Sequence, residues 1–134
     1  MKKLIIGLAL LVLVLLLVAC GSSTVEIFFP VQKSGLDQMD ALLEGNLELV
    51  DGWLRVQSSD SDYLVIWPYG FSVQGEGKEI QVLDGDSQVV AIVGEPIRVG
   101  GGESTVEIVE SYIGKSLPDD CAGPFWIISE VLSH

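Results

Sequence analysis

Beyond residue 24 the apolar residues come in short β-branched or aromatic runs, each broken by Gly, Asp, Ser or Pro. That punctuation constrains the fold more than any other feature. A strand needs about four to eight such residues, whereas a helix needs about ten or more at 3.6-residue spacing. The runs predict strands at Val25–Val31, Leu42–Val50, Trp53–Ser58, Tyr63–Trp67, Phe71–Gln74, Glu79–Leu83, Gln88–Val93, Ile97–Val99, Val106–Tyr112 and Phe125–Leu132. Loosely spaced Leu36, Met39, Ala41 and Leu43 predict one helical turn over Ser34–Leu43, stopped by Gly45. The expected fold class is all-β: a single small β-barrel, OB-like or a related Greek key. Closure is favoured over an open sheet because exposed strand edges recruit other chains.

The firmest local expectation is a hairpin at Asp51-Gly52. Asp-Gly suits a two-residue type I′ turn, in which both central residues take positive φ. A two-residue loop sets Val50 opposite Trp53, Leu49 opposite Leu54, Glu48 opposite Arg55 and Leu47 opposite Val56. Alternation then places Leu47, Leu49, Leu54 and Val56 on one face. Val50, Trp53 and an opposite-charge pair, Glu48–Arg55, share the other. A second turn is expected at Asp84-Gly85-Asp86-Ser87. The following Val89–Val93 run does not alternate, which predicts burial on both faces. Gly94-Glu95-Pro96 and Gly100-Gly101-Gly102 are expected to reverse the chain again. Ser23-Thr24-Val25-Glu26-Ile27 recurs as Ser104-Thr105-Val106-Glu107-Ile108, too short a match to show duplication.

The amino terminus carries a different signal. Lys2 and Lys3 precede an unbroken apolar run from Leu4 to Ala19, the order of a secretory signal peptide. Its end, Leu17-Val18-Ala19-Cys20, resembles the bacterial lipobox, where cleavage before a diacylglyceryl cysteine leaves the protein lipid-anchored. The resemblance implies lipid attachment at Cys20. An uncleaved transmembrane anchor competes, since the run approaches the ~17–25 residues that span a bilayer. In either case the lysines stay inside and residues 21–134 face the extracytoplasmic side. The expected organisation is a signal peptide over 1–19, a lipid-attachment cysteine, tether and lead-in strand over 20–40, and a small barrel over 41–134. Localisation follows as the bacterial cell envelope, with the membrane as partner through the lipid.

Charge narrows the remaining partners. The 134 residues hold 19 Asp plus Glu against 7 Lys plus Arg, and two of those seven lie in the leader. A body this acidic opposes nucleic acid and anionic headgroups, which need clustered Lys and Arg. The only histidine is the terminal His134, which is against Ser-His-Asp chemistry. Zinc lacks the His and Cys clusters that it needs. Asp84-Gly85-Asp86 begins like a calcium loop, but Val89 stands where the bend requires Gly. Gly75-Glu76-Gly77-Lys78 lacks both the first glycine and the hydroxyl residue of a phosphate loop. Gly100-Gly101-Gly102-Glu103 has no base to meet an anion. No metal site or cofactor is expected.

Two aromatic clusters stand at strand ends: Trp67, Tyr69 and Phe71 in one, Phe125 and Trp126 in the other. Such rings bind sugars, peptides or proteins when exposed, and plug a barrel when buried. With Cys20 acylated, Cys121 has no intramolecular partner, and its neighbours Asp119 and Asp120 oppose thiolate formation.

The strings Leu43-Glu44-Gly45-Asn46-Leu47, Asp51-Gly52-Trp53-Leu54-Arg55-Val56, Trp67-Pro68-Tyr69-Gly70-Phe71, Asp84-Gly85-Asp86 with Val89-Val90-Ala91, Gly100-Gly101-Gly102-Glu103 and Cys121-Ala122-Gly123-Pro124-Phe125-Trp126 resemble a family of uncharacterised exported bacterial domains. The resemblance covers roughly residues 41–128. It implies a disulfide between the position of Cys121 and that of Trp53, for which this chain lacks the second cysteine. The expectation is therefore a lipid-anchored binding or envelope-structural module for an envelope protein or glycan, and not an enzyme. Alternatives are a small carboxylate-dependent hydrolase and a calcium-responsive module.

Overall fold

A computed structural model describes residues 26–35, 39–76 and 79–133. The leader, Cys20, the whole Gly21–Thr24 tether and Val25 lie outside them, as do Leu36, Asp37 and Gln38. The described chain is mostly β, with eight strands and one short helix. The strands are β1 (Ala41–Val50), β2 (Trp53–Gln57), β3 (Asp62–Ile66), β4 (Ser72–Gln74), β5 (Gln81–Leu83), β6 (Val89–Ile92), β7 (Pro96–Ser104) and β8 (Phe125–Ser133); helix α1 (Val106–Ile113) lies between β7 and β8.

Five strands pair in the order β1-β2-β3-β8-β7, and β7 returns to β1, so the sheet closes on itself. All neighbours are antiparallel except β3 and β8. Closure depends on β1 serving two partners. Ala41–Asn46 pairs with β7, Asn46–Val50 pairs with β2, and Asn46 belongs to both ladders. At the crossover a Cβ on Gly45 would run into the Gln57 carbonyl, so the close approach requires glycine. The expected hairpin holds residue for residue, from Leu47 opposite Val56 to Val50 opposite Trp53. Asp51 (φ 51°) and Gly52 (φ 85°) both adopt the positive φ of the type I′ turn.

Alternation sends Leu47, Leu54, Val56, Val65, Trp126 and Ile128 into one core. A separate three-stranded sheet, β4-β5-β6, is inserted between β3 and β7 and adds Val82 and Ala91 to that core. The opposite faces of β3 and β8, bearing Leu64, Ile66, Phe125 and Ile127, form a second core under Val109 and Ile113 of α1 and Leu117. Residues 26–33 run along the ring as an extended segment. Phe28 N–H donates to the Gly52 carbonyl (2.8 Å), and the buried Gln32 donates through Nε2 to the Ile128 carbonyl (2.7 Å).

Several expectations need correction. Val106–Tyr112 is the core of α1 rather than a strand: Val-Glu-Ile alternation is local, but Val109 and Ile113 at i, i+4 are the residues buried. Thr105 caps the helix with extended backbone, and Gly114 ends it in the left-handed conformation (φ 74°). The parallel β3–β8 pair is joined through the long stretch that carries β4–β7 and α1, and α1 packs over both strands. The recurrence at Ser104–Ile108 is thus a helix start. The turn expected over Ser34–Leu43 is strand from Ala41 onward. The lead-in strand reduces to isolated bridges at Phe28 and Val31.

Gly100-Gly101-Gly102 does not reverse the chain. It lies inside β7, where irregular register lets β8 pass close. A Cβ on Gly101 would hit the Ile127 carbonyl and sit 2.7 Å from the Trp126 indole nitrogen. The Val89–Val93 run is not buried on both faces, since Val89 is exposed and β6 belongs to the inserted sheet. Finally, Glu48 and Arg55 are cross-strand neighbours, but the Arg55 guanidinium turns to Asp62 (2.7 Å).

Candidate functional site

The five aromatic residues expected to form a surface are not together on one. Trp67 is fully buried, with Phe29 stacked on it at 5.3 Å and Phe71 at 6.3 Å. Phe125 lies in the core beneath α1, and Trp126 is inside the closed sheet with its ring edge-on to Tyr63 (5.4 Å). Phe71 is half-buried, and only Tyr69 projects, at 66% exposure. The clusters are core because strands with both faces covered have no side left to display a ring. Both buried indoles leave their N–H without a partner.

The structure instead assembles rings that the sequence kept apart. Trp53 starts β2 on the face away from the interior. Phe28 is brought to it by the backbone bond to Gly52, and the two rings meet at 4.5 Å and 57°. Lys115 follows the Gly114 cap, and its Nζ lies 5.6 Å from the centroid of the Phe28 ring, a cation–π geometry. Around these residues opens a cleft of about 490 Å³, lined also by Glu26, Asp51 and Asp120. Those three carboxylates are exposed, so their field is screened, and among the described lining residues Lys115 alone is basic. The signals for this site were weak: Trp53 next to a turn and on the outer face was legible, whereas Phe28 and Lys115 depend on distant parts of the chain.

Cys121 adjoins the cleft through its neighbour Asp120. Cys121, half-buried beside it, has its thiol pushed up by burial; Arg55 partly offsets this and Asp120 adds to it. That favours the neutral thiol and opposes nucleophilic use. Arg55 is committed structurally, donating to the Asp62 carboxylate and carbonyl (2.7 Å each) and to the Ala122 carbonyl (3.0 Å). The Asp84 carboxylate accepts from the backbone N–H of Asp86 (2.9 Å) and Gln88 (3.0 Å), so it serves its own turn. Among the described residues no acid is buried, and no group of three or more His, Cys, Asp or Glu is placed to hold a metal ion. Tyr63 donates to Glu103 (2.9 Å), a bond that raises its hydroxyl above the ordinary value.

Among the described residues no helix is long and apolar enough to cross a membrane. No protein-family model, curated protein or solved structure matches the chain.

Proposed function

We propose that the protein is a lipid-anchored, extracytoplasmic binding module: an OB-like barrel tethered through Cys20, engaging its ligand at the Phe28–Trp53 cleft. The single observation that carries the binding reading is that cleft, where two rings are held by backbone bonding next to exposed carboxylates. The OB-like assignment is supported by strand order. In the ring of five, the first strand pairs with the fourth and the third runs parallel to the fifth. The lipobox-like Leu17-Val18-Ala19-Cys20 supports the anchor, and the resemblance to exported bacterial domains supports the location.

A binding role is favoured over hydrolysis because an acid–base pair needs one carboxyl shielded from water to hold a proton near neutrality. The described acids all keep solvent contact. The anchor is tested by the intact mass of protein extracted from membranes: loss of residues 1–19 with added mass at Cys20 is expected, and retention of those residues overturns it. Binding is tested on the detergent-solubilised full protein by following the Trp53 indole N–H resonance against envelope glycan and peptide fragments. A resonance that no fragment moves overturns the cleft as a site.

A further inference from the structure

We propose that the cleft recognises a primary alkylammonium group, and that Lys115 is its built-in occupant. This rests on reading the cleft as a binding site, and it adds the ligand's chemical class. Three features of the lining carry it. The floor is a tilted Phe28–Trp53 pair, which offers apolar area and the negative face of a π-system. The rim carries Glu26, Asp51 and Asp120, all exposed. The Phe28 ring already receives an ammonium, the Nζ of Lys115 at 5.6 Å.

The charge of the site selects among ligands. Among the described lining residues three carboxylates face one amine, so an anion is repelled and a neutral sugar gains nothing from the rim. An amine on an apolar stem uses every part: the stem lies along the rings and the ammonium meets the carboxylates. A quaternary headgroup would match the ring but could not donate hydrogen bonds to the rim. Lys115 fits this description itself. It is exposed, it sits just beyond the helix-ending Gly114, and it reaches the ring from within the chain. A ligand ammonium must therefore displace it, and the lysine sets a threshold for binding.

This predicts an inversion that a purely structural lysine would not show. Removing the one positive charge, in Lys115→Ala, should strengthen binding of a cation, both by freeing the ring and by removing like-charge repulsion. Asp51→Asn and Asp120→Asn should each weaken it, by roughly fivefold at most for a charge about 4 Å away in water. Asn also tolerates the positive φ at position 51, so the first of these keeps the hairpin turn.

The experiment titrates the detergent-solubilised full protein, at low salt, with 1,5-diaminopentane, with a capped Gly-Lys-Gly peptide and with uncharged 1,5-pentanediol. The readout is the Trp53 indole N–H shift. At least one amine should bind several-fold tighter than the diol, tighter again to Lys115→Ala, and more weakly as salt rises. Binding of the diamine alone marks a small free amine as the ligand, and binding of the peptide marks a lysyl side chain; both support the class. Equal binding of the diol overturns it by showing an apolar site only, without touching the anchor at Cys20, which the intact mass reads separately. Weaker amine binding by Lys115→Ala overturns the occupant role. No shift with either amine up to 20 mM overturns the proposal as a whole.

Discussion

The two faces of the β3–β8 pair are both buried, but by different means. Inward, Val65, Trp126 and Ile128 meet side chains from the whole closed sheet and from the β4–β6 insert. Outward, Leu64, Ile66, Phe125 and Ile127 meet one eight-residue helix and Leu117. The inner core is non-local and exists only when the ring is closed. The outer core is a lid whose helix is too short to be stable alone and is held by Val109 and Ile113. The candidate cleft borders the lid, next to Lys115 and Asp120, so the proposed ligand meets the molecule beside its smaller core.

If that contrast is right, breaking the ring should unfold both cores, whereas loosening the lid should spare the ring. The largest effect is expected from Gly45→Ala. Its new methyl meets the Gln57 carbonyl at the point of closure, and the cost should be about 3 kcal/mol or more in urea unfolding, with both cores lost together. A fully cooperative transition at unchanged midpoint would refute the closure argument. Next come paired truncations. Leu47→Ala, at a position with no exposure, should cost about 3–4 kcal/mol, and Ile113→Ala, at 7% exposure on the lid, about 2 kcal/mol. Hydrogen exchange separates them: Ile113→Ala should speed exchange in α1 and leave the β1–β2 amides protected. Equal acceleration in both would mean that the two cores are one cooperative unit.

A smaller effect concerns Cys121, at the edge of the outer core. Its raised thiol should make alkylation by iodoacetamide at mildly alkaline pH slower than that of free glutathione, and Ile113→Ala should speed it by opening the lid. Labelling at the free-thiol rate in the parent protein would show the lid already open. The smallest effect belongs to Glu107, in the first turn of α1. Its carboxylate lies below the ordinary 4.5 because it accepts from its own backbone N–H and from the Thr105 side chain. A carboxyl lowered by folding stabilises the native state above its unfolded value, and that contribution is lost as pH falls through the folded value. Glu107→Gln should therefore be slightly less stable than the parent near neutral pH and indistinguishable from it in strong acid. A gap that persists in acid would assign the effect to something other than this charge.

The parts legible in advance were those whose causes are local. At Asp51-Gly52, turn chemistry, alternation and register all come from neighbouring residues, and each agreed with the others. The Val106–Tyr112 segment reads as a strand because its first three residues alternate, although Thr105 and Gly114 mark helix ends. Two non-alternating runs show where local signals stop. Leu64–Trp67 is buried on both sides, while Val89 in the similar Val89–Val93 run is exposed. Nothing in either run says which will be covered, because that depends on where α1 and the insert land. Arg55 teaches the same point: register put Glu48 opposite, but Asp62 offered a better geometry.

Of the site, only Trp53 on the outer face could be placed from alternation. Phe28 arrives through a bond to Gly52, and Lys115 through a helix whose sequence alternates like a strand at its start. The expected aromatic surface is lost for the complementary reason, since Trp67 directly follows β3 and Phe125 and Trp126 lie on β8, strands that tertiary packing covers on both faces.

The sequence by itself determined the β-rich class, the central hairpin with its register, and the acidity, because propensity, turn chemistry and charge act over a few residues. Tertiary structure alone decided that β1 pairs with both β7 and β2 to close the ring, that a helix covers β3 and β8, which rings are buried, and where the cleft opens. Those outcomes follow from contacts between residues tens of positions apart, whose worth depends on every other element being in place.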